Sequence, residues 1–146
     1  MTTIAYKDGI IAYDSRESSS DDLIVDDDCD KRFERSGFHF FLCGISSDRE
    51  DFIESYLNWK AVRDGIDVES FVYCPMIKLL YRASIDDKGS IWKSQLRLNN
   101  HYAMGSGRRL ALAFMDTGMS AEDAVIATCK RDVWTGGTIR TFKIDR

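Results

Sequence analysis

The sequence predicts an α+β fold, a four-layer αββα sandwich in which two antiparallel sheets are flanked by helices. Three observations carry this expectation. The periodicity along the chain runs strands, one helix, strands, two helices and a last strand, an order that two antiparallel sheets covered outside by helices satisfy. Turn residues between short apolar runs spell hairpins. No linker or internal repeat interrupts the pattern, so the 146 residues read as a single domain, 1–146. A chain of that length buries roughly two-thirds of its unfolded surface.

Taken in order, "TTIAYKDGIIAYDSR" is a first hairpin. Its β-branched and aromatic residues supply strands, and Lys7, Asp8 and Gly9 supply the turn. "ESSSDDLIVDDDCD", from Glu17 to Asp30, is polar and acidic, with Leu23, Ile24 and Val25 its apolar residues. It reads as a solvated loop with a short strand, because the alternating acids, central Gly and terminal Glu of a calcium loop are absent. "KRFERSGFHFFLCG" is a second hairpin turning at Ser36-Gly37. Its second strand is apolar on both sides apart from His39, as a central strand requires. In "SSDREDFIESYLNWKAVRDG" the period changes. Ser47 and Glu50 have capping-box spacing, Phe52, Ile53, Tyr56, Leu57 and Ala61 share one face, and Gly65 stops the helix. Strands return in "VESFVYC", "MIKLLYRAS", "SIWKSQL" and "HYAMG", with Pro75 between the first two and "DDKG" as a tight turn. "SGRRLALAFMDTG" and "SAEDAVIATCKRD" are helical, the latter with a second capping box at Ser120 and Asp123. "GGTIRTFKID" closes as a strand.

Composition narrows the function. A hydrophobic share of 44% with 12% aromatics fits a globular protein, and a net charge of −4 argues against a nucleic-acid surface. Cys29, Cys43, Cys74 and Cys129 lack CxxC spacing and nearby histidines. With no signal peptide, they read as free thiols in a reducing compartment, and neither a metal nor a cofactor is expected. No apolar run approaches the roughly 20 residues that span a bilayer. The expectation is a cytoplasmic protein with no membrane partner. His39 and His101 are too far apart and too unaccompanied for a histidine-based triad, and are expected to be structural. The first strand begins directly behind Met1, with a hydroxyl residue, Thr2, at its head. Either a domain simply starts with a strand here, or a threonine α-amine must sit at a fixed place.

Four stretches in order bear on that choice: "TTIAYKDGIIAYDSR", "DKRFER" leading to "FLCGISSD", "AMGSGRRLALAFMDTGMSAEDAV", and "KRDVWTGGTIRTFKID". Together they resemble the proteasome β subunits and the HslV-type bacterial peptidase, the threonine-protease branch of the N-terminal-nucleophile hydrolases. The resemblance is weakest over residues 62–98. It implies the N-terminal-nucleophile fold and a threonine endopeptidase that hydrolyses unfolded polypeptide inside a homo-oligomeric ring, with an ATP-dependent unfoldase as a possible partner. It places the nucleophile at Thr2 after Met1 removal, with Asp14 and Lys31 beside it and the Gly44 N–H in the oxyanion hole. Ser106, Asp132 and Thr135 match the cluster that orients the new N-terminus. Substrate-binding positions fall at Ser18, Phe33, Leu42 and Ser46. The alternative is a catalytically inactive ring or assembly protein with the same fold.

The chemistry needs these residue types. A threonine hydroxyl is a poor nucleophile and needs a base. A free α-amine, with a pKa of about 7.7–8, serves as one from the same residue. A lysine charge beside the hydroxyl lowers its pKa, and an aspartate holds the lysine. Each residue also has a plainer reading. Thr2 can be an ordinary strand-edge residue, and Lys31 with Asp14 a cross-strand surface ion pair worth about 0–1 kcal/mol. Gly44 can be a turn glycine, Ser106 a helix cap, and Asp132 and Thr135 turn residues. Phe33 and Leu42 can be core.

Overall fold

In a computed structural model, residues 2–63 and 65–146 are described. Two compact units emerge, one built from residues 1–31 and 97–146, the other from residues 32–96.

The first unit holds a four-stranded antiparallel sheet in which Tyr102–Gly105, Thr3–Lys7, Ile10–Tyr13 and Arg140–Lys143 lie side by side in that order. Strands β1 (Thr3–Lys7) and β2 (Ile10–Tyr13) pair through the expected turn. Asp8 and Gly9 both take positive φ, 50° and 81°, which a two-residue type I′ connection demands. The β10 strand (Tyr102–Gly105) pairs with β1, and β11 (Arg140–Lys143) with β2. The acidic stretch contributes a separate two-stranded ribbon, β3 (Glu17–Ser18) with β4 (Ile24–Asp26). Helices α2 (Arg108–Asp116) and α3 (Ala121–Thr128) pack over the sheet. Ala5 and Ala12 face each other in the central pair and are buried with Ala111, Met115, Ala121, Ala124 and Val125. Alanines on both sides let helices and sheet approach closely. At the start of α3, Ser120 accepts a bond from the Asp123 N–H at 3.1 Å, the expected cap.

The second unit is a five-stranded antiparallel meander, β5 (Arg32–Arg35), β6 (Phe38–Gly44), β7 (Val68–Cys74), β8 (Leu79–Ile85) and β9 (Ile91–Gln95). Helix α1 (Arg49–Asn58) lays Phe52, Ile53 and Tyr56 on Phe40, Leu42, Val68, Val72 and Ala83 of the sheet.

Two features of α1 differ from the sequence expectation. The Ser47–Glu50 capping box does not form. Glu50 is forked to Arg35 at 2.6 and 3.1 Å, a 3-10 turn occupies Ser46–Asp48, and Asp48 becomes the N-cap. The buried Asp48 carboxylate makes no cap bond because it binds Arg63 and accepts from the Asp67 N–H. The helix also ends at Asn58, well before Gly65, because Trp59 takes the left-handed C-cap conformation at φ 53°. The chain beyond is tied to the β8–β9 hairpin through the Val62 N–H and the Gly89 carbonyl, 3.1 Å apart. Ala61 therefore lies outside the helix whose face it was expected to complete. Among the described residues no helix is long and apolar enough to cross a membrane.

Tyr56 carries a testable consequence. Its hydroxyl is buried with no hydrogen-bond partner among the described residues, and burial pushes the phenol up to about 12. Between the ordinary value of 10 and about 12 the folded protein retains a proton that the unfolded chain releases. Below the unfolded value the phenol has no effect on the pH dependence of stability, and stability falls as pH rises through this window. Thermal denaturation between about pH 8 and about pH 11 is expected to show the loss in wild type and a smaller one in Tyr56→Phe. At neutral pH the same substitution leaves Tm unchanged or raised, since it deletes an unsatisfied polar group.

Candidate active site

The register of the first sheet builds the site. Ile4 pairs with Tyr13, so Asp14 leaves β2 beside Thr3 at the head of β1, and the Asp14 N–H reaches the Thr3 carbonyl at 3.3 Å. The Asp14 carboxylate is fully buried. Its Oδ1 accepts from Thr2 Oγ1, from the Thr3 N–H at 3.0 Å and from Lys31 Nζ at 2.8 Å. Its Oδ2 accepts from the Gly136 N–H at 2.9 Å and the Arg16 N–H at 3.3 Å. Lys31 Nζ in turn donates to Thr2 Oγ1. Hydroxyl, ammonium and carboxylate thus close a triangle in which Thr2 and Lys31 are each 2% exposed. The surface ion-pair reading of Lys31 does not survive that burial.

A second set of hydroxyls adjoins the first. Ser106 Oγ and Thr135 Oγ1 both donate to Asp132 Oδ2, each at 2.6 Å. Ser106 Oγ also lies 3.3 Å from the Thr2 carbonyl. Thr3 Oγ1 stands 2.7 Å from Thr135 Oγ1. The proton of Thr135 is committed to Asp132, so Thr3 is the donor in that pair. Ser106 is not the cap of α2, whose N-cap is Gly107 without a side-chain bond. The competing partner, Asp132, takes its hydroxyl. The glycines on either side of Ser106 have a steric reason. A Cβ on Gly105 would stand 1.8 Å from the Thr2 carbonyl oxygen, and one on Gly107 2.1 Å from Thr3 Oγ1.

The structure therefore brings Thr2, Asp14 and Lys31 together, and joins Ser106, Asp132 and Thr135 to the Thr2–Thr3 segment. Ser18 is half-buried in β3 of the same unit, two strand positions on which only Glu17 and itself pair with β4. Gly44, Phe33, Leu42 and Ser46 belong to the five-stranded unit. Gly44 ends β6 at φ 115°, where a Cβ would stand 2.1 Å from the Asp67 carbonyl oxygen. Leu42 is fully buried in the cluster beneath α1 and Phe33 packs against it. Ser46 opens the 3-10 turn and is exposed. Sequence reasoning missed Thr3, Arg16 and Gly136, although "TT", "DSR" and "TGG" contain them. His39 and His101 sit elsewhere, the one 3.2 Å from Arg32 and the other 2.6 Å from Asp116. Cys129, at the C-cap of α3, is pushed up by burial and by the nearby charge of Asp14. It stays a thiol at neutral pH and is no rival nucleophile.

What such an arrangement can do is activate one hydroxyl. A buried lysine and aspartate cost more to desolvate than a surface pair returns, so stability alone is a poor reason to build them into a core. Converging on a threonine oxygen, the lysine places a positive charge against it that favours alkoxide character, and the aspartate holds the lysine in place.

The fold now has parallels. HslV from Trypanosoma brucei matches with a TM-score of 0.67 at 15% identity, covering 97% of this chain and 97% of that one. BPH of Thiobacillus denitrificans matches with a TM-score of 0.65 at 14% identity over 99% of this chain and 98% of its own. The same protein in complex with epoxomicin matches at 0.62 and 15% identity over 99% of each. No family model and no curated protein matches the sequence. The chain thus shares the α+β fold of these two proteins, with antiparallel sheets and flanking helices as expected.

Gly107→Ala tests how tightly the hydroxyl cluster is packed. The added methyl meets Thr3 Oγ1, and Thr128 Cγ2 at 2.4 Å. Overpacking of this kind costs about 1–3 kcal/mol, expected as a clear drop in Tm by calorimetry. An unchanged Tm would show that the Ser106 segment yields freely.

Proposed function

We propose that the protein is a threonine endopeptidase of the proteasome/HslV type, with Thr2 as its nucleophile once Met1 is removed. The observation that carries this reading is the buried Lys31 ammonium donating to Thr2 Oγ1, with Asp14 holding both. Hydrolysis of the Met1–Thr2 bond frees the α-amine, which then serves as general base for its own side chain. Thr2 Oγ attacks the scissile carbonyl carbon and its proton passes to the amine. Backbone N–H donation stabilises the oxyanion. For that role the reading takes Gly44 from the family resemblance. The C–N bond then breaks, the departing amine carries away the proton, and an ester to Thr2 Oγ remains. Water, deprotonated by the same amine, hydrolyses the ester and regenerates the hydroxyl.

Lys31 keeps its charge throughout and favours the alkoxide character of Oγ. Asp14 fixes the lysine. Asp132 orients Thr135, which holds the Thr3 side chain, and Ser106, which lies against the Thr2 carbonyl. Assembly into a homo-oligomeric ring, unfolded polypeptide as substrate and an ATP-dependent unfoldase as partner belong to the same proposal and rest on the resemblance, and a cytoplasmic location belongs to it on the cysteine usage and the lack of a membrane-length apolar run. So do the substrate-binding roles of Ser18, Phe33, Leu42 and Ser46.

Intact-mass measurement of protein from its native host is expected to show Met1 absent, because the small Thr2 side chain permits methionine aminopeptidase action. Epoxomicin, seen bound to a structural neighbour, should label Thr2 of the processed chain. Thr2→Ala should abolish both labelling and peptide hydrolysis. Wild-type protein that keeps Met1 with the aminopeptidase active, and that resists epoxomicin, would instead be the inactive ring protein.

Lys31 provides a sharper test. Lys31→Ala should remove most activity, and Lys31→Arg should fail too, since a planar guanidinium cannot replace a compact charge between a hydroxyl and a carboxylate. Asp14→Asn should be nearly as damaging, and the double variant little worse than either single one, as expected of residues acting as a unit. Arg32→Ala, one residue along in β5, should be tolerated. Steady-state kinetics on a fluorogenic peptide decide it, and loss in Arg32→Ala with survival in Lys31→Ala would overturn the assignment.

A further inference from the structure

The acidic stretch after β4 has the composition of a solvated loop, yet it is fastened at several points. Arg16, two residues beyond Asp14, grips it with a fork. Arg16 Nε donates to Asp27 Oδ1 at 2.8 Å and Nη2 to Asp27 Oδ2 at 3.2 Å. The remaining edge of the guanidinium is also used, Nη1 donating to the Val133 carbonyl at 3.0 Å. The same group lies against Gly136, where a Cβ would meet Arg16 Cζ at 2.5 Å.

Each partner leads to a different part of the site. Asp27 lies four residues before Lys31. Val133 stands between Asp132 and Thr135. Gly136 donates its N–H to Asp14 Oδ2 at 2.9 Å, and its carbonyl accepts from the Ser15 N–H at 3.0 Å. Gly137, at φ 74°, lets the chain pass against Asp27, whose carbonyl accepts from the Thr138 N–H at 3.2 Å. A second arginine reinforces the join, Arg140 donating to Ser15 Oγ and, at 2.8 Å, to Asp28 Oδ1.

We propose that Arg16 and Asp27 form a positioning clamp that sets the 14–16, 27–31 and 132–137 segments against one another and thereby aligns Asp14, Lys31 and Thr135 on the Thr2–Thr3 segment. The inference rests on the peptidase reading above and adds two residues to it that touch neither substrate nor the reacting hydroxyl. An exposed ion pair by itself adds little to stability, and Asp27 is 44% exposed. What distinguishes this pair is the third bond, to Val133, and the contact with Gly136. Only a planar fork with donors on several edges satisfies a carboxylate and a carbonyl at once. The ion pair also leaves an electrostatic mark, the Arg16 hydrogen bond holding the Asp27 carboxyl below its usual range. If the clamp opens, Asp14 loses the Gly136 donor and Thr3 loses Thr135, while nothing that would hold a substrate is removed. The effect therefore belongs in kcat and not in KM.

The test uses the processed full chain with Arg16→Lys, Asp27→Asn, Asp27→Glu and the double variant Arg16→Lys/Asp27→Asn. Two readouts are taken, steady-state kinetics on a fluorogenic peptide and amide hydrogen exchange at Ser15 and Gly136. Arg16→Lys and Asp27→Asn are each expected to lower kcat about tenfold with KM within about twofold, and the double variant to be no worse than the singles. Asp27→Glu, which keeps the carboxylate, should recover part of the loss. The Ser15 and Gly136 amides should exchange faster in the impaired variants, with the strand amides of β1 and β2 unchanged. Wild-type exchange at both amides in Arg16→Lys and Asp27→Asn would overturn the clamp, as would unaltered kcat in an active enzyme. A loss that merely follows Tm across the series, without Asp27→Glu rescue, would overturn the positioning role as well. A wild type without any turnover counts against the peptidase reading alone, and the clamp then stands or falls on amide exchange.

Discussion

The Asp14 carboxylate is the constraint around which the first unit is arranged. It is fully buried, and among the described residues it accepts from five donors: Thr2 Oγ1, the Thr3 N–H, Lys31 Nζ, the Arg16 N–H and the Gly136 N–H. A buried carboxylate left short of partners costs several kcal/mol in practice, so each donor segment is held where the carboxylate needs it. The head of β1, the turn after β2, the chain leading into β5 and the loop before β11 therefore meet at one group. A site that binds Thr2 so firmly is a consequence of the same geometry.

Close approach of backbones makes that meeting possible, and small residues permit it. Ala5 and Ala12 lie beneath helices that themselves present Ala111, Ala121 and Ala124. Gly105 and Gly107 admit the Thr2 carbonyl and the Thr3 hydroxyl, and Gly136 admits the Arg16 guanidinium. The five-stranded unit solves a different problem. There Phe40, Phe52 and Tyr56 fill volume between one short helix and a wide sheet, with ring centroids of Phe40 and Tyr56 5.3 Å apart, edge to face. The tolerance of that packing shows in Tyr56, whose hydroxyl is buried without a partner among the described residues. The first unit is built for polar precision and the second for apolar bulk.

Much of this was legible in the chain itself. The hairpin over residues 3–13 declares itself because Asp8-Gly9 is the chemistry of a two-residue turn and alternation is visible over a few residues. The α3 cap at Ser120 follows from the same locality. The α1 boundaries did not, because long-range partners outbid local ones. Glu50 prefers Arg35 to the helix N-terminus, and Asp48 prefers Arg63 and the Asp67 N–H to a cap. Ser106 likewise serves Asp132 and not the helix that begins beside it.

The sequence by itself determined the elements, their order and the residue types on which a threonine-centred site depends, since turn chemistry, periodicity and the "TT", "DSR", "GSG" and "TGG" stretches are local properties. Only the tertiary structure decided that Lys31 is a buried partner of Thr2 and Asp14 and not a surface charge, that Thr3 is wired to Thr135, and that the acidic stretch is fastened by Arg16 and Arg140. The reason is physical. Burial, and with it the strength of a charge, is set by what the rest of the chain brings alongside, and no stretch of residues contains its own surroundings.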